Sequence, residues 1–240
     1  MDSVLVFDIW GEYAHFRKYY TTTSPLTFSI PPRTAICGLI AGIIGIDREE
    51  YLQHFSKNKA DIAVKILAPV KKVRIAENLI DTKRAKLMSR IKNRTQIRFE
   101  FLKDAKFRIY FHHIDQEIYN KTREFLTNHK CFYTPCLGLS EHIANFEFIG
   151  EMKCEKVDKN NDSDFITIDS IIPIPNGIHL EIDFDREGGE YFSETIPIEM
   201  KEDRTLKEYS NVIFERKCAP ICAKVTSFWE LENNERIIFL

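Results

Sequence analysis

The chain has 240 residues, enough for one large domain or two small ones, and its net charge of −2 carries no overall nucleic-acid signature. With 44% hydrophobic residues it can build a sizeable core, which excludes a disordered chain, and its longest apolar run, Ala35 to Ile46, is far short of the roughly 20 residues that span a bilayer. Six cysteines without framework spacing, behind an N-terminus that lacks a basic leader, point to a reducing cytoplasm and away from secretion.

Residues 3–9 read as a strand, apolar from Val4 to Ile9. A loop dense in aromatic and basic groups follows, with Trp10, Tyr13, His15, Phe16, Arg17, Lys18, Tyr19 and Tyr20. Pro31 and Pro32 then lead into a helix over about 33–45. Gly38, Gly42 and Gly45 fall on roughly one face of it, a pattern that predicts close packing of that face on a sheet. Acidic residues from Asp47 open a second short helix to about Ser56. Residues 61–69 read as a strand, 71–98 as a basic hairpin, and 105–113 as a strand with Phe107, Ile109 and Phe111 on one face. Asp115 is an N-cap for a helix to Asn128, and a return strand follows near 144–149.

The order β, α, β, insert, β, α, β is the split βαβ pattern. It predicts an α+β fold: a ferredoxin-like or RRM-like domain over 1–150 with an inserted basic hairpin. After Gly150 the texture changes to short β segments at 165–172, 178–184, 190–198, 210–214, 221–229 and 235–239. These predict a smaller antiparallel β region over 151–240. The polar run from Asp158 to Asp164 reads as a solvated loop.

Charge is concentrated in the hairpin. Residues 71–98 hold ten basic and two acidic side chains, a net +8 that leaves −10 for the rest of the chain. A basic arm inserted between two strands can track a phosphate backbone, and its candidate contacts are Lys71, Lys72, Arg74, Lys83, Arg84, Lys86, Arg90 and Arg94. Around the first helix the candidates are Tyr13, His15, Arg17, Lys18, Arg33 and Thr34. There, bases can stack on aromatic faces and a phosphate can meet a helix N-terminus; Phe16 is expected in the core. Catalysis at a 2′-hydroxyl would need a base and an acid. The best-placed groups are His112 and His113, which a strand directs to opposite faces, so only one of them could face RNA. No metal or cofactor is expected. Cys131 with Cys136, and Cys218 with Cys222, do not have zinc-ribbon spacing, and no phosphate-binding glycine loop is present.

Trp10-Gly11, the Ala14 to Arg17 segment, Pro31 to Thr34, and the run from Gly38 to Gly45 together resemble the fifth family of CRISPR-associated (Cas) proteins, most closely its I-B branch. The resemblance is specific over residues 3–46. It is looser at the basic insertion and at Tyr133 to Glu141, and beyond 150 it lies only in length and β texture. It implies a non-catalytic subunit of a type I Cascade antiviral complex. Such a subunit caps the 5′ handle of the crRNA, contacts the backbone subunit and the large PAM-reading subunit, and meets target DNA through the complex, with no membrane involved. Two alternatives remain open. In the I-C branch the homologous subunit is a metal-independent endoribonuclease that uses a Lys-His pair and a Tyr, whereas here Phe111 stands before His112. A scaffold whose arm contacts protein is the other.

Overall fold

The computed structural model describes residues 1–21, 24–80, 94–159, 164–174, 180–185 and 188–240. The fold is α+β and mostly antiparallel sheet. Its centre is β1 (Ser3–Ala14), five residues longer than the strand expected over 3–9, flanked by β4 (Arg94–His113) and β5 (Asn145–Asp158). β2 (Ala60–Ile66) lies on the far side of β4. Helix α1 (Arg33–Ile44) joins β1 to β2, with the single-turn α2 (Tyr51–His54) after it, and α3 (Gln116–Thr127) joins β4 to β5. The local order β5-β1-β4-β2 is antiparallel at every pairing, so each helical connection crosses one intervening strand.

The alternation of β1 divides the core. Leu5, Phe7 and Ile9 join Phe107, Ile109 and Phe111 under Ile36, Ile40, Ile43 and Ile44 of α1. Val4 and Val6 face the other way, with Tyr110, against Leu231 and Ile237. Each such apolar side chain contributes about 1.5–3 kcal/mol on burial. Asp115 caps α3 as its position predicts, accepting from the Glu117 backbone N–H at 2.9 Å.

The glycine face of α1 does not meet the sheet. A Cβ on Gly42 would have nothing within 4 Å, and one on Gly38 would only touch Tyr51 at 3.8 Å. The branched residues make the sheet contact, and the glycines line an open groove with Thr34, Leu39 and Tyr133. Gly45 is different. It ends the helix at φ 73°, and a Cβ there would come within 2.6 Å of the Phe132 ring.

Residue 150 falls inside β5, which runs on to Asp158. Its distal half pairs with β11 (Ser227–Leu231), and β12 (Arg236–Ile237) pairs with β11, so C-terminal strands extend the same sheet. A separate sheet of β7 (Ile172–Ile174), β9 (Leu206–Glu215) and β8 (Tyr191–Met200) adds Ile196, Ile198, Val212 and Phe214 to the α1 core. β6 (Ile166–Ile168) pairs with β10 (Ile221–Ala223). A charged network sits on the face opposite the helices. Lys65 meets Asp169 at 3.0 Å and Glu235 at 2.7 Å, Arg108 meets Asp8 at 2.8 Å, and the Tyr110 hydroxyl donates to Glu235 at 3.0 Å. Among the described residues no helix is long and apolar enough to cross a membrane.

Candidate nucleic-acid interface

The basic hairpin is an extension of the central strand. β4 is 20 residues long. Its inner half pairs with β1 and β2, and its outer half pairs with β3 (Lys71–Ile80) in a continuous register from Lys71 opposite Lys103 to Ile80 opposite Arg94. The change of partner falls near Asp104, whose φ of 54° is in the left-handed region that Asp tolerates better than most residues. Lys83, Arg84, Lys86 and Arg90 lie outside the described residues.

Alternation along this ladder gives the arm two unlike faces. Lys72, Arg74, Arg94 and Arg98 fall on one face, with Gln96 and Asn78 between them. Val73, Ile75, Leu79, Ile97 and Phe99 fall on the other. Glu100 sits on the basic face near the root, where Lys72 approaches it at 3.4 Å and Arg74 at 3.8 Å. Arg74, Arg94 and Arg98 are exposed. Lys71 points to the apolar face near the root and is 3.9 Å from Asp104.

The loop after β1 braces that root. His15 is only 1% exposed and packs edge-on to Phe99 and Phe101. Its Nδ1 is 2.8 Å from the Glu100 carbonyl, so Nδ1 carries the proton and donates, while Nε2 is buried without a partner among the described residues. Burial lowers its pKa, ahead of the opposing backbone hydrogen bond. Tyr13 is half-buried, edge-on to Phe101. The His15 N–H donates to the Leu137 carbonyl at 2.9 Å, and the neighbouring Gly138, at φ 95°, lies so close that a Cβ would run into the His15 carbonyl oxygen. Phe16 is buried, as its sequence setting predicts.

The remaining candidates divide sharply. Arg17 is exposed, with one bond from Nη2 to the Thr21 carbonyl at 3.3 Å. Lys18 pairs with Glu194 at 2.5 Å; burial alone would lower its pKa, but the hydrogen bond and charge of Glu194 raise it above the ordinary lysine value. Arg33, expected at the surface, is 1% exposed and points inward. Its guanidinium donates to the carbonyls of Ile198 at 3.2 Å, Ser56 at 3.2 Å and Ala60 at 2.6 Å, so it ties α1 to β8 and to the start of β2 instead of reaching RNA. Thr34 is buried beside the α1 groove.

The two histidines do face opposite ways. His113 is fully buried: Nε2 donates to the His54 carbonyl at 2.9 Å and Nδ1 accepts from the Asp115 N–H at 3.0 Å. Both of its nitrogens are thus engaged inside the protein, and burial lowers its pKa. His112 is partly exposed, with Nδ1 3.5 Å from an Asp61 carboxylate oxygen and its ring 5.7 Å from that of Tyr119. The Tyr119 hydroxyl is held by Ser3 and Glu151, and its pKa is pushed up to about 12, chiefly by burial.

Several solved structures share this fold. A CRISPR protein from Archaeoglobus fulgidus is 15% identical, with a TM-score of 0.58 over 99% of each chain. A chain of a CRISPR RNA-guided surveillance complex is 10% identical, with a TM-score of 0.53 over 90% of this chain and 91% of that one. A chain of a type III-B Cmr-beta complex bound to cognate target RNA and AMPPnP is 13% identical, with a TM-score of 0.50 over 91% and 86%. No curated protein matches the chain. The model of the family described as CRISPR-associated protein (Cas_Cas5) matches residues 4–211, nearly the whole length, and the chain belongs to the Cas5 family.

Proposed function

We propose that this chain is a non-catalytic, RNA-binding subunit of a type I CRISPR Cascade, most like those of the I-B branch, acting in the cytoplasm to cap the 5′ handle of the crRNA. The observation that carries this reading is the two-faced arm. Four cations on one face of a ladder that leaves the body of the protein suit a phosphate backbone, while the apolar face suits the protein neighbours of an assembly, here the backbone and large subunits. Family membership and the fold shared with a chain of an RNA-guided surveillance complex support it. We read the β5-β1-β4-β2 order, with its two helical crossovers, as a ferredoxin-like palm and the arm as its thumb.

The test is salt-dependent binding of the full chain to single-stranded RNA. The double change Arg74→Glu/Arg98→Glu should weaken binding across sequences. It should also flatten the slope of log K against log salt by about 0.7 for each phosphate that is no longer neutralised. An unchanged affinity and slope would sink the electrostatic role. Incubation of repeat RNA with the chain in EDTA should give no cleavage; site-specific cutting abolished by His112→Ala would make the chain an endoribonuclease.

A further inference from the structure

We propose that the cleft at the root of the arm holds one unstacked nucleotide of the bound RNA and prefers a base with an amino group. The inference rests on the RNA-binding reading above and adds to it the place where a base is read. The cleft, of about 400 Å³, lies between the arm and the β8–β9 hairpin and is lined by Ser29, Val70, Lys72, Phe192, Glu194 and Arg216, among others.

Its position is the first argument. Lys72 is the innermost cation of the arm's basic face, so a phosphate track along Arg94, Arg98 and Arg74 leads into the cleft. Arg216 stands on its wall, donating from Nε to the Val70 carbonyl at 3.0 Å and paired with Glu190 at 2.7 Å, which fixes this cation beside the root of the arm.

Phe192 is the second argument. It is 47% exposed although it stacks on buried Phe214, with ring centroids 6.0 Å apart and planes inclined by 18°. A rigid aromatic ring left half-wet in a cleft that also holds Lys72 and Arg216 can serve as a stacking platform, and every base has a face to place on it.

The third argument is Glu194. Its carboxylate is nearly enclosed and held in place, one oxygen by Lys18 at 2.5 Å and the other by the Ser29 N–H at 2.7 Å. Each carboxylate oxygen has two lone pairs. The remaining pairs can accept from the amino group of cytosine, adenine or guanine, which uracil lacks. Lys72, Arg216 and Glu194 are already partnered by Glu100, Glu190 and Lys18; an apolar ligand would only take these charges out of water, whereas a nucleotide brings a phosphate to the cations and an amino donor to the carboxylate.

The full chain is titrated, at several salt concentrations, with labelled oligocytidine and oligouridine of about eight nucleotides, within the range of single-strand site sizes. A second oligocytidine series carries a single abasic nucleotide moved along its length. Oligocytidine should bind more tightly than oligouridine. Phe192→Leu, which keeps apolar volume, should weaken oligocytidine binding about 5- to 100-fold at an unchanged salt slope, and Phe192→Trp should retain it. One abasic position should cost the same factor in the wild type and nothing further in Phe192→Leu, and Glu194→Gln should narrow the gap between the two oligomers. Suppose instead that Arg74→Glu/Arg98→Glu weakens binding while Phe192→Leu and every abasic position leave it unchanged. The cleft is then not a base site, and the RNA-binding reading stands without it. If the wild type shows no salt-dependent binding to either oligomer, both readings fall.

Discussion

Arg33 and Arg17 sit on either side of the same proline-rich entry into α1, and their side chains do opposite work. Arg33 opens the helical stripe that continues through Ile36, Cys37 and Ile40, so the helix that begins after Pro32 turns it into the core. That periodicity was present in the sequence; the charge of the side chain obscured it. Once buried, the guanidinium needs acceptors; three carbonyls take donors from Nη1 and Nη2, while Nε has no partner among the described residues. Arg33→Ala should therefore cost about 2–4 kcal/mol in urea unfolding, from three abandoned acceptors and the missing side-chain volume. Arg17→Ala should change stability by less than about 0.5 kcal/mol and register only in RNA affinity. Equal effects of the two on stability would refute this division of roles.

At the scale of the element, α1 and α3 were legible because their signals are local: a proline entry, an Asp115 cap, an apolar stripe. The arm was legible as a basic hairpin, but not as the outer half of a 20-residue strand, because that continuity depends on partners far away in sequence. The C-terminal strands were visible as β segments, yet nothing local told that β11 would add to β5. Phe192 could not be singled out, since an aromatic residue on an alternating strand looks the same whether it faces core or cleft. The glycines of α1 give a paired prediction within one helix. Gly42→Ala places its methyl in open space and should stabilise the chain by up to about 1 kcal/mol through helix propensity. Gly45→Ala forces a side chain into the left-handed region and against Phe132, and should destabilise it by about 1–2 kcal/mol or more. Thermal or urea midpoints shifting in the same direction for both would contradict this account of the helix.

At the scale of the whole molecule, the network of Lys65, Arg108, Asp169 and Glu235 clamps the C-terminal strands to the central sheet, and it sets a pH dependence. Burial acts to raise the Glu235 pKa, but hydrogen bonds from Lys65, Asn233 and Tyr110 outweigh it and hold the folded value below the ordinary glutamate range. A depressed folded pKa stabilises the fold above the unfolded value of about 4.3, and that stabilisation is lost as pH falls through the folded one. Glu235→Gln should lower stability near pH 7 and make its decline below about pH 4.5 shallower; parallel wild-type and variant curves down to pH 3 would rule out this clamp as the source. The central place of β1 also has a consequence for synthesis. Asp8 and its partner Arg108 are 100 residues apart, and the other flank of β1 is closed by β5, later still. At about 5–20 residues per second, β1 waits some 5–20 s after emerging from the ribosome before its first neighbour exists. Through that interval a strand whose Val4, Leu5, Val6, Phe7 and Ile9 all end in the core has both edges open, so a nascent chain stalled between β1 and β4 is the form most in need of a chaperone.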